Sequence, residues 1–371
     1  MIDFEFNEPT LNGTLLYIIV FILVVVFGYR KGTSPQMSFN PVEIWLLFLV
    51  LLSLSIGNVV TGDFYTYQTM VKQYDFTIGA HNHAEAIYAT IIRFCNSNYL
   101  LFRTIVFGLA CFITLWVFRR FGIKLYVALF FLFATNIRLY GYSRAILAAA
   151  IFFLGLSFIC KPEKWRILSY LVGSGFILLS YQFHHSSIIL IALFPFAFLH
   201  VDKKVALILL LLIPLFSILL KGLFNDILLN SLLDDYDDLQ EKIIIYSEGR
   251  TLTYSIWGKI RGFLGGCLFY YEVYLIIRSC VFNNKGVDKS IQRLFSFVLV
   301  AVITAISVYL IDTSVKIFYS RITRFLMIPM TILVVYLRQE QLIKDREFKI
   351  LIIVGALLQL WDFENSIKSL I

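Results

Sequence analysis

Twelve stretches of the chain are long and apolar enough to be read as crossings of a bilayer, and this repetition limits what the chain can fold into more than any other feature. Residues 13–29 contain no charged side chain at all. A helix spanning the hydrocarbon core needs about 20 mostly apolar residues, or roughly 17 when short. On that criterion the spans fall at 13–29, 41–57, 99–118, 122–137, 142–160, 167–183, 186–200, 205–221, 262–280, 294–311, 322–337 and 349–361. Covering so much apolar surface with a polar shell would need far more charge than the chain has. Only 15% of its residues are charged and 59% are apolar, against about 25% and 45–50% for soluble chains. A soluble enzyme, a disordered chain and a secreted disulfide scaffold are excluded. The expectation is an all-α polytopic membrane protein with about twelve transmembrane helices, forming a single integral membrane domain over residues 1–371.

The stretch 167–200 is too long for one crossing, because a single helix there would run about 51 Å. Lys161, Lys164 and Arg166 precede it, Lys203 and Lys204 follow it, and Gln182, His184 and His185 interrupt it. That pattern predicts two short helices joined by a tight turn. The first apolar run follows Asp3, Glu5 and Glu8 and is itself followed by Arg30 and Lys31. A signal peptide wants the opposite order, so an uncleaved helix with its N-terminus outside is expected. Alternating from there, the inner loops carry eighteen basic and seven acidic residues, and the outer side fourteen and seventeen. The net charge of +8 therefore reports orientation rather than nucleic-acid binding. Both termini are expected on the outer side of the membrane. The two long outer loops are about 58–98 and 222–261, and loops of that length are usually functional.

On this topology the unusual polar residues collect on the outer side. Asp63-Phe-Tyr-Thr-Tyr67 opens the first long loop, Arg138 to Arg144 (R-L-Y-G-Y-S-R) fills the turn before the fifth span, and Gln182 to Ser186 caps the next outer hairpin. Glu248-Gly-Arg250 lies in the second long loop, and Arg321 and Arg324 open the eleventh span. Arginines near helix ends often snorkel to head groups, which is an equal reading for Arg138. Arg144 is different, because it sits inside a span beside Ala145, Ala148, Ala149 and Ala150. Small residues allow close helix packing, so an arginine there faces protein or a water-filled cavity. Arg321 and Arg324 share a helix face and repel each other unless an anion or a carboxylate such as Asp312 lies between them. The pairs His184-His185 and His81-x-His83, and the acidic run 234–238, lack the spacing of metal sites. No metal is expected, and no disulfide framework is read from the five cysteines. Soluble nucleotide-binding motifs are missing as well. An outward cavity with arginine forks for phosphate oxygens, and with carboxylates and aromatic side chains for sugars, suits a lipid-linked sugar diphosphate.

Four motifs occur in a set order: D-F-Y-T-Y at 63–67, R-A-I-L-A at 144–148, H-H-S-S at 184–187 and R-x-x-R-F at 321–325. In these, and in span count and long outer loops, residues 15–360 resemble the EpsG/Wzy-type group of bacterial polysaccharide polymerases. One departure is Ala145, where the group often carries Gln. The resemblance implies a GT-C-like glycosyltransferase that moves a growing glycan from undecaprenyl diphosphate to another lipid-linked repeat unit, making an O-antigen or capsule-like polymer. It implies no cofactor. The expected partners are the lipid-linked oligosaccharide, the bilayer and a chain-length regulator. Arg144, Arg321 and Arg324 would neutralise the diphosphate, with Arg138 and Arg250 as secondary candidates. Asp63 and His184 or His185 compete as base, and Tyr65, Tyr67, Tyr140 and Tyr142 would hold glycan. An O-antigen ligase or another GT-C enzyme is the nearer alternative. A flippase for the same lipid-linked sugars is the alternative from another class.

Overall fold

The computed structural model describes residues 11–33, 41–57, 63–73, 86–136, 143–223, 256–282, 287–311 and 316–368. Every regular element in them is helical. In chain order these are α1 (Leu11–Thr33), α2 (Pro41–Gly57), α3 (Asp63–Gln73), α4 (Ala86–Cys95), α5 (Tyr99–Phe121), α6 (Leu125–Asn136), α7 (Ser143–Cys160), α8 (Arg166–Tyr181), α9 (Ser187–Leu193) and α10 (Lys203–Leu223). They continue with α11 (Ile256–Val281), α12 (Lys289–Ile311), α13 (Lys316–Phe325), α14 (Met327–Gln339) and α15 (Asp345–Lys368). Four stretches are long and apolar enough to cross a membrane, Leu15–Thr33, Tyr99–Phe121, Ile260–Val281 and Lys289–Leu310, and shorter apolar helices accompany them. The outward faces are apolar too. Phe27, Ile167, Leu211 and Phe263 are between 71% and 78% exposed, which suits lipid and not water. The chain is a polytopic membrane protein.

Helix boundaries follow local chemistry. The Asn98 side chain accepts the Leu101 N–H at 2.9 Å to start α5, and Gly122, at φ 72°, ends it with its N–H on the Arg119 carbonyl. A left-handed residue there suits glycine. Asp202 caps α10 in the same way, accepting the Val205 N–H at 2.8 Å. Several predicted spans are redrawn. The span 186–200 is α9 followed by a 3₁₀ turn, Phe194–Phe198, because Pro195 has no N–H to continue the ladder. The span 322–337 divides at Leu326 into α13 and α14. The stretch 58–98, expected as a long outer loop, contains α3 and α4, and α11 begins at Ile256, inside the stretch 222–261.

The centre of the bundle is α6, α7, α12 and α14. Phe130, Phe131 and Phe133 of α6, Phe152 of α7 and Phe297 of α12 are fully buried, and nearly all of α14 is buried as well. The tightest packing is between α7 and α8. A Cβ on Gly155 would lie 2.5 Å from the Gly173 carbonyl oxygen and 2.9 Å from the Ile177 nitrogen. Both obstacles are backbone and cannot move aside cheaply. Gly155→Ala should cost about 1–3 kcal/mol, lowering the midpoint of thermal unfolding of the detergent-solubilised protein. Gly108→Ala is the matched control, since nothing lies within 4 Å of that position. Equal midpoints for the two variants would contradict the close α7–α8 approach.

One end of the bundle is tied by basic side chains. Arg278 donates to both Glu347 oxygens at 2.7 and 2.8 Å, which holds the Glu347 carboxyl below the usual carboxylate range. Arg120 donates to Glu163 at 2.6 Å and to the Lys161 carbonyl at 3.1 Å. Arg293 reaches the Ile159 carbonyl at 3.0 Å, Arg338 pairs with Asp345 and Lys31 with Glu43. The Lys124 N–H donates to Gln339 at 3.0 Å. These ties join the loops that carry the basic excess. The helices α7, α8 and α14 each span from this end to the other, so Arg144, the 182–186 turn and α13 lie at the opposite end.

Candidate functional site

At that opposite end two separate motifs of the sequence meet. The turn Gln182–Ser186 closes between α8 and α9, with the Ser187 N–H on the His184 carbonyl at 2.9 Å and the Ile188 N–H on the His185 carbonyl at 3.0 Å. Ser186 precedes α9 in the position where a serine normally caps a helix. Its backbone is already helical and its side chain makes no capping bond. Instead, the Ser186 hydroxyl accepts a hydrogen bond from Arg321 of α13 at 2.7 Å. Phe325, one turn further along the same face of α13, brings its ring to 6.1 Å from the His184 imidazole. A chain separation of 135 residues is thereby closed, and α13 also packs against α7, the helix that begins with Ser143 and Arg144.

The other face of α13 is fixed independently. The Tyr319 ring lies 5.0 Å from that of Tyr309 at the end of α12, and its hydroxyl is hydrogen-bonded to Tyr270 of α11. Arg321 and Arg324 are both partly buried. Two guanidiniums one turn apart, on a helix held from both sides, make a fixed cationic edge. Guanidinium groups are planar donor forks whose geometry matches carboxylate and phosphate oxygens. His184 is partly buried beside it, while His185 is exposed and stacks on Tyr181 at 4.8 Å. Among the described residues no group of three His, Cys, Asp or Glu side chains is arranged to hold a metal ion.

The D-F-Y-T-Y motif opens a different helix. Asp63 is the first residue of α3, which packs on α4 and α5. The backbone of Asp63, Tyr65 and Arg144 is described and their side chains are not. Tyr67 is 6% exposed, its ring 6.1 Å from that of Tyr88. There its ring forms part of the contact between α3 and α4. Arg138, Tyr140, Tyr142, Arg250 and Asp312 lie outside the described residues, as do His81, His83, Glu85 and the run 234–238.

Sequence reasoning passed over Ser186 and Phe325 as partners, because nothing local signals a contact across 135 residues. It also passed over two ionisable residues that lie within predicted spans, a position that marks a residue for scrutiny. Arg103 of α5 is 3% exposed, hydrogen-bonded to Tyr99, with its guanidinium 5.7 Å from the Tyr99 ring centre and 5.2 Å from that of Phe107. Glu272 of α11 is 9% exposed. Arg103 has an aromatic cage that explains it; Glu272 has no such surroundings.

No curated protein and no solved structure matches the chain. The sequence profile of the EpsG family matches residues 43–361, and the chain belongs to that family, which is linked to exopolysaccharide biosynthesis.

Proposed function

We propose that this protein is a polysaccharide polymerase, transferring a growing glycan from undecaprenyl diphosphate to another lipid-linked repeat unit on the outer face of the bacterial inner membrane. The observation that carries the reading is the meeting of Arg321 with Ser186. It presents the two arginines of α13 beside His184, at the end of the bundle away from the basic ties. Breaking the glycosyl–diphosphate bond builds negative charge on the departing diphosphate. Fixed guanidiniums aimed at that charge stabilise it without reorganising. Arg321 and Arg324 take this role, joined by Arg144 from the neighbouring α7 and, as secondary candidates, Arg138 and Arg250. The acceptor hydroxyl must lose its proton as it attacks, and Asp63, His184 and His185 are the proposed acceptors of it. Tyr65, Tyr67, Tyr140 and Tyr142 are the proposed glycan contacts. Because the lipid diphosphate is itself the leaving group, the reaction needs no sugar nucleotide.

The charge distribution supports the orientation. The end held by Arg120, Arg278, Arg293 and Arg338 is the cytoplasmic one under the positive-inside rule, which turns the arginine helix toward the periplasm. Cells lacking the protein should accumulate single lipid-linked repeat units on the periplasmic face, measured by accessibility to an added glycosidase in spheroplasts. Accumulation on the cytoplasmic face alone would identify a flippase instead.

A further inference from the structure

One cation inside the membrane domain has no part in the proposed reaction. Arg103 sits one turn into α5 and is 3% exposed. Arg120, on the same helix, belongs to the basic ties, so Arg103 lies roughly 25 Å along the helix from that end. A guanidinium at such a place is costly, and an apolar side chain of similar length would fill the space without the cost. What surrounds Arg103 is more than apolar packing. It donates a hydrogen bond to Tyr99 and lies between the rings of Tyr99 and Phe107. It also interacts electrostatically with the hydroxyls of Tyr17 on α1 and Tyr88 on α4. All three tyrosines are buried. One side chain thus draws together hydroxyls from three helices.

The backbone holds α4 to α5 a second time. Asn96 and Ser97, between the two helices, both have positive φ, 46° and 64°, and the turn closes with the Asn98 N–H on the Cys95 carbonyl at 2.9 Å. A left-handed serine is strained, and such strain persists where the surroundings fix it. Across this joint Tyr88 is fully buried, its ring 5.3 Å from that of Phe102 on α5 and 6.1 Å from that of Tyr67 on α3. The helix α3 rests on α4 and α5, with Tyr67, Met70 and Val71 buried. Asp63 stands one turn before Tyr67 in that helix. Two tyrosines, Tyr88 and Tyr67, therefore lie between the buried guanidinium and the turn of α3 that begins with Asp63.

We propose that Arg103 is a positioning residue for glycan transfer: it locks α4 on α5, and through Tyr88 and Tyr67 this seats α3 and sets where Asp63 stands. The proposal rests on the polymerase reading and on Asp63 as its proton acceptor. Apolar packing alone tolerates a helix sliding along its neighbour. A guanidinium that faces hydroxyls on α1, α4 and α5 is satisfied in one register, a use of buried charge that trades stability for a single arrangement. At 3% exposure Arg103 does not reach substrate itself and acts through the helices it holds.

Amide hydrogen exchange of the full-length protein in lipid nanodiscs, without substrate, and steady-state extension of undecaprenyl-diphosphate-linked repeat units give two separate readouts. Arg103→Met removes the cation and leaves no buried charge behind, because its partners are neutral hydroxyls. The midpoint of thermal unfolding should therefore stay at or above the wild-type value. Exchange in α3 and α4 should become about tenfold faster, the loss of one hydrogen bond to a charged group, while α8 is unchanged. The kcat should fall about tenfold on the same ground, with KM unaltered. Arg103→Lys, which keeps the charge, should recover part of the kcat. In an Asp63→Asn background Arg103→Met should lower kcat no further. Tyr88→Phe keeps the ring and loses the hydroxyl, and should show the same pattern more weakly; it serves as the test if Arg103→Met is not inserted. Unchanged exchange in α3, wild-type kcat, a rise in KM in place of the fall in kcat, or a further loss on top of Asp63→Asn would each overturn the proposal. So would a lowered midpoint with faster exchange in every helix, the mark of a purely structural role. Faster exchange in α3 and α4 alone, in a protein whose wild type extends nothing, would end the polymerase reading and keep Arg103 as the anchor of α3.

Discussion

Arg321→Ala should reduce polymer to near background while the protein is still made and inserted. Two losses combine. The guanidinium is removed from the diphosphate, a change of the kind that costs about 100- to 1000-fold in rate when a stabilising donor is lost. The bond to Ser186 that fixes α13 against the 182–186 turn is lost with it. The two contributions can be separated. Ser186→Ala removes only the acceptor, and one side-chain hydrogen bond contributes about 0.5–1.5 kcal/mol, or up to about 3 where a charge takes part. That predicts a partial loss of roughly tenfold. If Ser186 acts through Arg321, adding Ser186→Ala to Arg321→Ala should change nothing further, since residues in direct contact are not additive. Arg321→Lys keeps the charge and loses the planar fork, and should fall between the two. Polymer length and amount on gels, normalised to membrane protein, give the comparison. Long polymer at normal amounts from Arg321→Ala would remove α13 from the site.

Asp63→Asn carries the second large effect. As the proposed proton acceptor, Asp63 should be dispensable for binding and necessary for transfer. The variant should retain lipid-linked repeat units in a pull-down with purified protein yet leave them unextended, with a loss of about 100-fold or more. The position also suits a purely structural task. An aspartate opening a helix satisfies exposed N–H groups and complements the dipole, and Asp63 is the first residue of α3. Loss of binding together with turnover would indicate that structural task. Extension at the wild-type rate would move the base to His184 or His185. Of these His184 is favoured by place, since it is partly buried beside Phe325 while His185 is exposed.

The contrast between these two residues shows what the sequence could and could not reveal. Helix positions were legible because they depend on local apolar length: α5, α7, α8 and α12 all begin or end close to the predicted spans. The turn at Gln182 was legible because a 34-residue helix cannot fit a bilayer. Ends set by single residues were not. The 3₁₀ turn after α9 needs Pro195, and the break between α13 and α14 at Leu326 follows from Pro329, which has no N–H for the Phe325 carbonyl that ends α13. For the site, sequence order supplied the motifs but not their grouping. Arg321 finding Ser186 depends on how α13 lies across the end of the bundle, and no period or spacing encodes that. The surroundings of Tyr67 were hidden for a related reason. A tyrosine in a polar motif reads as a ligand contact, but only tertiary packing shows that its ring is buried against Tyr88. Arg103 and Glu272 carried a readable signal, ionisable side chains inside apolar spans, and their environments then separate them: Arg103 has ring faces and a tyrosine hydroxyl, and Glu272 is buried at 9% exposure.

The most direct test of the account is reconstitution of the purified protein in sealed vesicles with undecaprenyl-diphosphate-linked repeat units as the only substrate. Without sugar nucleotide, the products should form a ladder spaced by one repeat unit, released undecaprenyl diphosphate should rise with each addition, and Arg321→Ala should give neither. Unchanged single repeat units, whether left in place or moved across the bilayer, would contradict it.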